Sequence, residues 1–211
     1  TQLGLNAAAI ADSLGVGIEI DYEQNRNPNL NGLQLFINAY RSRIPYDATG
    51  NNHAARLTID LATGDRWLID ICRKATADWL KTSNPVLDYA NAMVAARQPS
   101  TSGAIASWQE HVDGKPQYGP PIPPLAPAKF TGSLWLVGSK PIAECTNFNN
   151  SLQKTTASYL QSVSPHGAGS SPGMLGYMFW AAECEGKRSV CTTPPNSCQG
   201  GIGAGATYFN I

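Results

Sequence analysis

Residues 15–23 read Gly15-Val16-Gly17-Ile18-Glu19-Ile20-Asp21-Tyr22-Glu23, or GVGIEIDYE. Val16, Ile18, Ile20 and Tyr22 alternate with Gly17, Glu19, Asp21 and Glu23, and in an extended chain alternate side chains share one face. The stretch predicts a strand over 16–22 with one apolar face and one acidic face, Glu23 standing at the end of the acids. On an antiparallel edge such acids are simply solvated. In a parallel sheet both faces are covered, so the acids must be hydrogen-bonded to one another or face a polar cleft. Acids held close together also raise one member's pKa, which is how a general acid is made near neutral pH.

The flanking segments favour the parallel setting. LGLNAAAIADSLG (3–15) reads as a helix ended by glycine. NLNGLQLFINAYRSRI carries Leu30, Leu33, Phe36, Ile37 and Tyr40 at helical spacing. ARLTIDLA reads as a short strand, and DRWLIDICRKATADWL as a helix with Leu68, Ile71, Cys72, Ala75 and Trp79 on one stripe. PVLDYANAMVA, KFTGSLWLVG and SPGMLGYMFWAA read as strands, and FNNSLQKTTASYLQSV as an amphipathic helix. Residues 96–127 read as a long Pro-rich connection, extended through GPPIPPLAP. Strands near 16–22, 55–61, 86–94, 130–137 and 173–180 thus alternate with helices, except after the third strand. Such alternation predicts an α/β fold with parallel strands, either a doubly wound sheet or a barrel. Neither G-x-G-x-x-G nor a P-loop occurs, which disfavours a nucleotide-binding sheet.

Composition narrows the function classes. Fifteen basic residues balance fifteen acidic ones, and no Lys/Arg cluster offers a nucleic-acid footprint. No apolar run reaches the roughly 18–20 residues that span a bilayer, so neither nucleic acid nor membrane is an expected partner. With 211 residues the chain suffices for one substantial core, and we read 1–211 as a single domain with a Cys/Pro/Gly-rich tail at 182–201. Cys184, Cys191 and Cys198 sit seven apart in that tail, without the C-x-x-C pairs or nearby histidines of a zinc site. A disulfide among them, with Cys145 as a further candidate, fits a secreted protein. The Asn149-Asn150-Ser151 sequon agrees with an extracellular location. Cys72, inside a helical stripe, is expected to be a buried free thiol. The chain opens on Thr1-Gln2 without an initiator Met, as a processed or incomplete chain does.

Other chemistry-bearing residues are scattered. His53, His111 and His166 form no metal motif, and no G-x-S-x-G elbow is present. No metal and no cofactor is expected. Trp67 and Trp79 are expected in the core, whereas Trp108 and Trp135 suit either a core or a sugar platform. Asp60 and Asp65 flank the end of the second strand, where turn or cap roles are expected ahead of a place facing the cleft.

The opening stretch resembles the strand-four signature of family 18 glycoside hydrolases, the chitinase and endo-β-N-acetylglucosaminidase group, D-G-x-D-x-D-x-E. Here it reads Val16-Gly17-Ile18-Glu19-Ile20-Asp21-Tyr22-Glu23, with Val16 and Glu19 standing where the family has aspartates. YANAMVA is similar to the family's sixth strand, Met93 matching its methionine. GMLGYMFWAAE is similar to its last strand, Trp180 matching the tryptophan beneath the sugar. The family's tyrosine two residues beyond the methionine is replaced by Ala95, with Ala96 following where an acid or amide is expected. The resemblance implies a TIM-type (β/α)8 barrel of which this chain supplies about strands four to eight. An upstream segment or a second chain would supply the rest. It also implies hydrolysis of β-linked N-acetylglucosamine polymers or N-glycan cores by substrate-assisted retention. Glu23 would be the general acid, Asp21 would orient the substrate's acetamido group, and Glu19 would share a proton with Asp21. Trp180, Met93 and Trp135 would bind sugar. The altered positions keep a second expectation open, a chitinase-like lectin that binds oligosaccharide or polysaccharide without turnover.

Overall fold

The computed structural model describes residues 1–62, 68–93, 108–135 and 176–180. Helix α1 (Gln2–Leu14) stops where Gly15 takes the left-handed φ of 65°, which an L side chain resists, and its N–H caps the Ala11 carbonyl. The chain then enters β1 (Ile18–Ile20) and, after a loop, helix α2 (Leu30–Arg43), whose start is capped by Asn29 Oδ1 accepting from Gly32 N at 2.8 Å. A short turn of 3₁₀ helix, His53–Ala55, leads into β2 (Leu57–Ala62). Helix α3 (Ile69–Lys74) runs on as a π turn over Ala75–Trp79 before β3 (Ala90–Met93). Strands β4 (Phe130–Trp135) and β5 (Gly176–Trp180) follow.

The five strands form one sheet in the order β1-β2-β3-β4-β5, every pair parallel. Register sorts the side chains into two faces. Ile18 and Ile20 lie beside Leu57 and Ile59, and Ile59, Ala90 and Phe130 continue that apolar row across the sheet. A single buried cluster joins this row to Ala8 and Ala11 of α1, Leu33, Ile37 and Tyr40 of α2, and Ile71, Cys72 and Trp79 around α3. The opposite face carries Glu19, Thr58, Asp60, Asn91 and Thr131, with Asp60, Asn91 and Thr131 on one level.

Helices α1 and α2 pack closely because α1 presents small residues. A Cβ added at Gly4 would meet the Phe36 carbonyl and lie 2.9 Å from Ala39 Cβ, and Ala8 and Ala11 are fully buried below it. At the amino ends of the strands Arg41 of α2 binds the carbonyls of Val86 and Ala55 at 2.7 and 2.6 Å and pairs with Asp88 at 3.1 Å. Asp88 Oδ2 in turn accepts the Leu57 N–H at 2.8 Å, so one ion pair fixes α2 to the starts of β2 and β3.

Two expectations are corrected here. The first strand ends at Ile20, not Tyr22, because its ladder with β2 runs only from Ile18 to Ile20 and no second strand pairs with it among the described residues. The connection expected over 96–127 is not all connection: residues 108–113 form a helix. Trp108 and His111 of that helix are buried, His111 lying 5.1 Å from the Phe130 ring, so the helix packs on the apolar face of β4. Buried anchors hold this helix, and the prolines that follow it begin after Gly114. The expected helix over FNNSLQKTTASYLQSV, Trp67, Asp65, the sequon, His166, the tail and the four cysteines other than Cys72 lie outside the described residues. Cys72 itself is a buried free thiol, its pKa pushed up to about 12 by burial.

Candidate active site

In a parallel sheet the carboxyl ends of all strands lie at one edge, and functional groups of such folds collect there. Here that edge carries Asp21 just past β1, Ala62 ending β2, its register partner Met93 ending β3, and the register partners Trp135 and Trp180 ending β4 and β5. Glu23 and Asn25 from the loop after β1, with Ala62 and Leu68, line a partly open pocket of about 270 Å³. The expected site residues Glu23, Asp21, Met93, Trp135 and Trp180 thus share one edge of the sheet. Met93 is half-buried against the core.

The loop carrying Glu23 is built by local bonds, not by strand pairing. Tyr22 packs against the core and its hydroxyl accepts the Asn29 N–H at 3.1 Å, tying the loop to the start of α2. Gln24 donates to the Arg26 carbonyl at 2.7 Å, and Asn27 takes a positive φ of 48°. Asp21 and Glu23 are exposed. Partial burial, and then the charge of Glu19, raise the Asp21 pKa.

One level below the edge lies a polar row that sequence reasoning assembled only in part. Thr131 Oγ1 donates to Asn91 Oδ1, and Asn91 Nδ2 donates to Glu19 Oε1 at 2.7 Å. Glu19 therefore reaches across β2 to a side chain on β3. The extra methylene relative to aspartate gives it that span. Asp60 lies level with Asn91, on the strand between them. It is buried, and its pKa is pushed up to about 9, by burial first, then by its hydrogen bond to Glu19 and the charges of Glu19 and Asp21, while Asn91 opposes the shift.

Asp60 thus has neither a turn nor a cap role: it is a buried member of the acid cluster. In this network Glu19 meets Asp60 and Asn91 by hydrogen bonds and acts on Asp21 through its charge. Thr58 and Asp60 alternate with Leu57, Ile59 and Leu61, so a polar face could be read from LTIDLA. Its neighbours could not, because register is invisible in one segment. Trp108 is wholly buried and belongs to the core, not to a sugar platform; Trp79 is core as expected, its indole N–H donating to Gln34 at 2.8 Å. His111 is held neutral, its pKa lowered to about 3 by burial and by the Lys115 charge. Among the described residues no group of three or more His, Cys, Asp or Glu is arranged to hold a metal ion, and no helix is long and apolar enough to cross a membrane. No family model, curated protein or solved structure matches the chain.

Proposed function

We propose that the chain is a glycoside hydrolase-like protein of the family 18 type, built on a TIM-type barrel and acting outside the cell on β-linked N-acetylglucosamine glycans. The observation that carries this reading is the gathering of Glu23, Asp21, Met93, Trp135 and Trp180 at the carboxyl edge of one parallel sheet. Two features of the sheet support the barrel. The described helices pack on its apolar face, whereas a doubly wound sheet needs helices on both. The Glu19–Asn91 bond joins β1 to β3 above the strand between them, as a concave face allows.

In this mechanism Glu23 protonates the leaving glycosidic oxygen as the carbonyl oxygen of the substrate's 2-acetamido group attacks the anomeric carbon. Asp21 holds the acetamido N–H and stabilises the positive charge on the oxazolinium ring. Glu23, now a carboxylate, takes a proton from the water that opens that ring and is restored. The aromatic strand ends, Trp135 and Trp180, supply flat surfaces for sugar rings.

Release of a fluorophore from chitooligosaccharide conjugates tests the proposal across pH 3 to 8. Glu23→Gln keeps the shape and loses the transferable proton, so turnover should fall about 10²- to 10⁴-fold while binding persists. Wild-type turnover in that variant overturns the assignment. The Ala95 and Ala96 substitutions favour a second reading, a carbohydrate-binding protein without turnover; binding without release by the wild type selects it.

A further inference from the structure

We propose that Asp60 is a buried positioning acid, which keeps its proton in the folded protein at neutral pH and donates it to Glu19. Glu19 is then gripped by two neutral donors from neighbouring strands, Asp60 on β2 and Asn91 on β3. The argument begins with burial. Asp60 is 8 % exposed, and its Oδ1 has no hydrogen-bond partner among the described residues. An ionised carboxylate in such a place would leave a charged oxygen unsolvated, which is far more costly than leaving the weakly polar carbonyl of a neutral acid.

The neighbours point the same way. Among the described residues the groups facing Asp60 are Glu19 of β1, Asp21 just past it and Asn91 of β3, with Thr131 of β4 reaching Asn91. Among the described residues no lysine, arginine or histidine acts on it. Two acids and an amide cannot compensate a third negative charge, so one proton must be retained. Asn91 donates to Glu19 Oε1, whereas Asp60 keeps a buried oxygen without a partner among the described residues, so the proton rests at lower cost on Asp60. The Asn91 bond to Asp60 opposes this but ranks below burial and Glu19. The upward displacement of the Asp60 pKa, caused first by burial, agrees with this assignment.

The consequence for chemistry rests on the proposed function. A neutral Asp60 leaves Glu19 as the one negative neighbour of Asp21, so Asp21 can ionise when a cationic ring forms beside it. An ionised Asp60 would add a second opposing charge. Asp60 lies below the strand ends and touches no substrate; it acts by holding Glu19, and through Glu19 the strand that delivers Asp21 and Glu23.

Isotope-edited infrared spectroscopy of the whole chain, with aspartate carboxyls labelled by carbon-13, tests the proton directly. At pH 7 the wild type should display a protonated aspartic C=O band that disappears on titration near pH 9 and is missing in Asp60→Asn. Glu19→Gln should move its midpoint downward, because the neighbouring charge is gone, and this second variant decides the matter where Asp60→Asn does not fold. Absence of the band at pH 7, its survival in Asp60→Asn, or an unmoved midpoint in Glu19→Gln overturns the proposal. A band that behaves as expected in a protein that neither cleaves nor binds chitooligosaccharides would refute the proposed function and leave the role of Asp60 standing.

Discussion

A carboxyl whose pKa is higher in the folded chain than in the unfolded one binds a proton on folding at every pH between the two values. For Asp60 those values are about 9 and 3.8. Its contribution to stability is therefore fully present below the lower value and is lost as pH rises through the upper one. Other groups obscure this elsewhere on the scale. His111, depressed from 6.5 to about 3, adds stability as pH rises toward neutrality, and Cys72, raised from 9.0 to about 12, contributes loss only above pH 9. Between about pH 7 and pH 9 both are silent, while the Asp60 contribution falls. Urea midpoints should drop across that window in the wild type and stay level in Asp60→Asn. A flat wild-type profile there would mean that Asp60 is ionised at neutrality.

Elements are fixed to one another by a few buried polar bonds, of which Arg41–Asp88 is the most consequential. The pair is nearly buried, its side chains 10 % and 13 % exposed, and Asp88 also satisfies the first amide of β2. Asp88→Ala would leave a guanidinium without a counter-charge and the Leu57 N–H without an acceptor, at a cost of about 3 to 5 kcal/mol. Chemical denaturation measures this directly, and a loss below about 1 kcal/mol would show that Val86 and Ala55 carbonyls suffice for Arg41.

Legibility in the sequence follows the range of the interactions. Helix α1 was readable to its glycine cap, and α2 through its stripe, because both signals are local. Ile71, Cys72 and Trp79 were correctly expected inside for the same reason. Strand β1 was read too long because alternation continues through Tyr22 while its hydrogen-bonded partner does not. The helix at 108–113 was missed among prolines because two buried anchors, Trp108 and His111, have no meaning until β4 lies beneath them. Asp60 is not legible as a buried acid from its own segment, because only register sets it level with Asn91 and within reach of Glu19.

At the scale of the whole molecule, the barrel proposal makes a demand on the outer edge of β1. Amides of a parallel strand point alternately to its two neighbours. The Ile18 N–H bonds to the Arg56 carbonyl at 2.9 Å, toward β2, so the Glu19 and Asp21 amides point away from β2. In a closed barrel a further parallel strand must accept them, since closure leaves no edge. In an open sheet they face solvent or a loop. Native-state hydrogen exchange resolved to single residues separates these cases, with Ile20 as the internal control because its N–H points toward β2. Closure predicts that Glu19 and Asp21 exchange about as slowly as Ile20, through the same cooperative opening. If the added strand comes from a second chain, that protection should weaken on dilution; if it belongs to the same polypeptide, it should not. Glu19 and Asp21 amides exchanging at the rate of an unstructured chain, while Ile20 stays protected, would rule out a barrel and leave an open parallel sheet with an acidic edge.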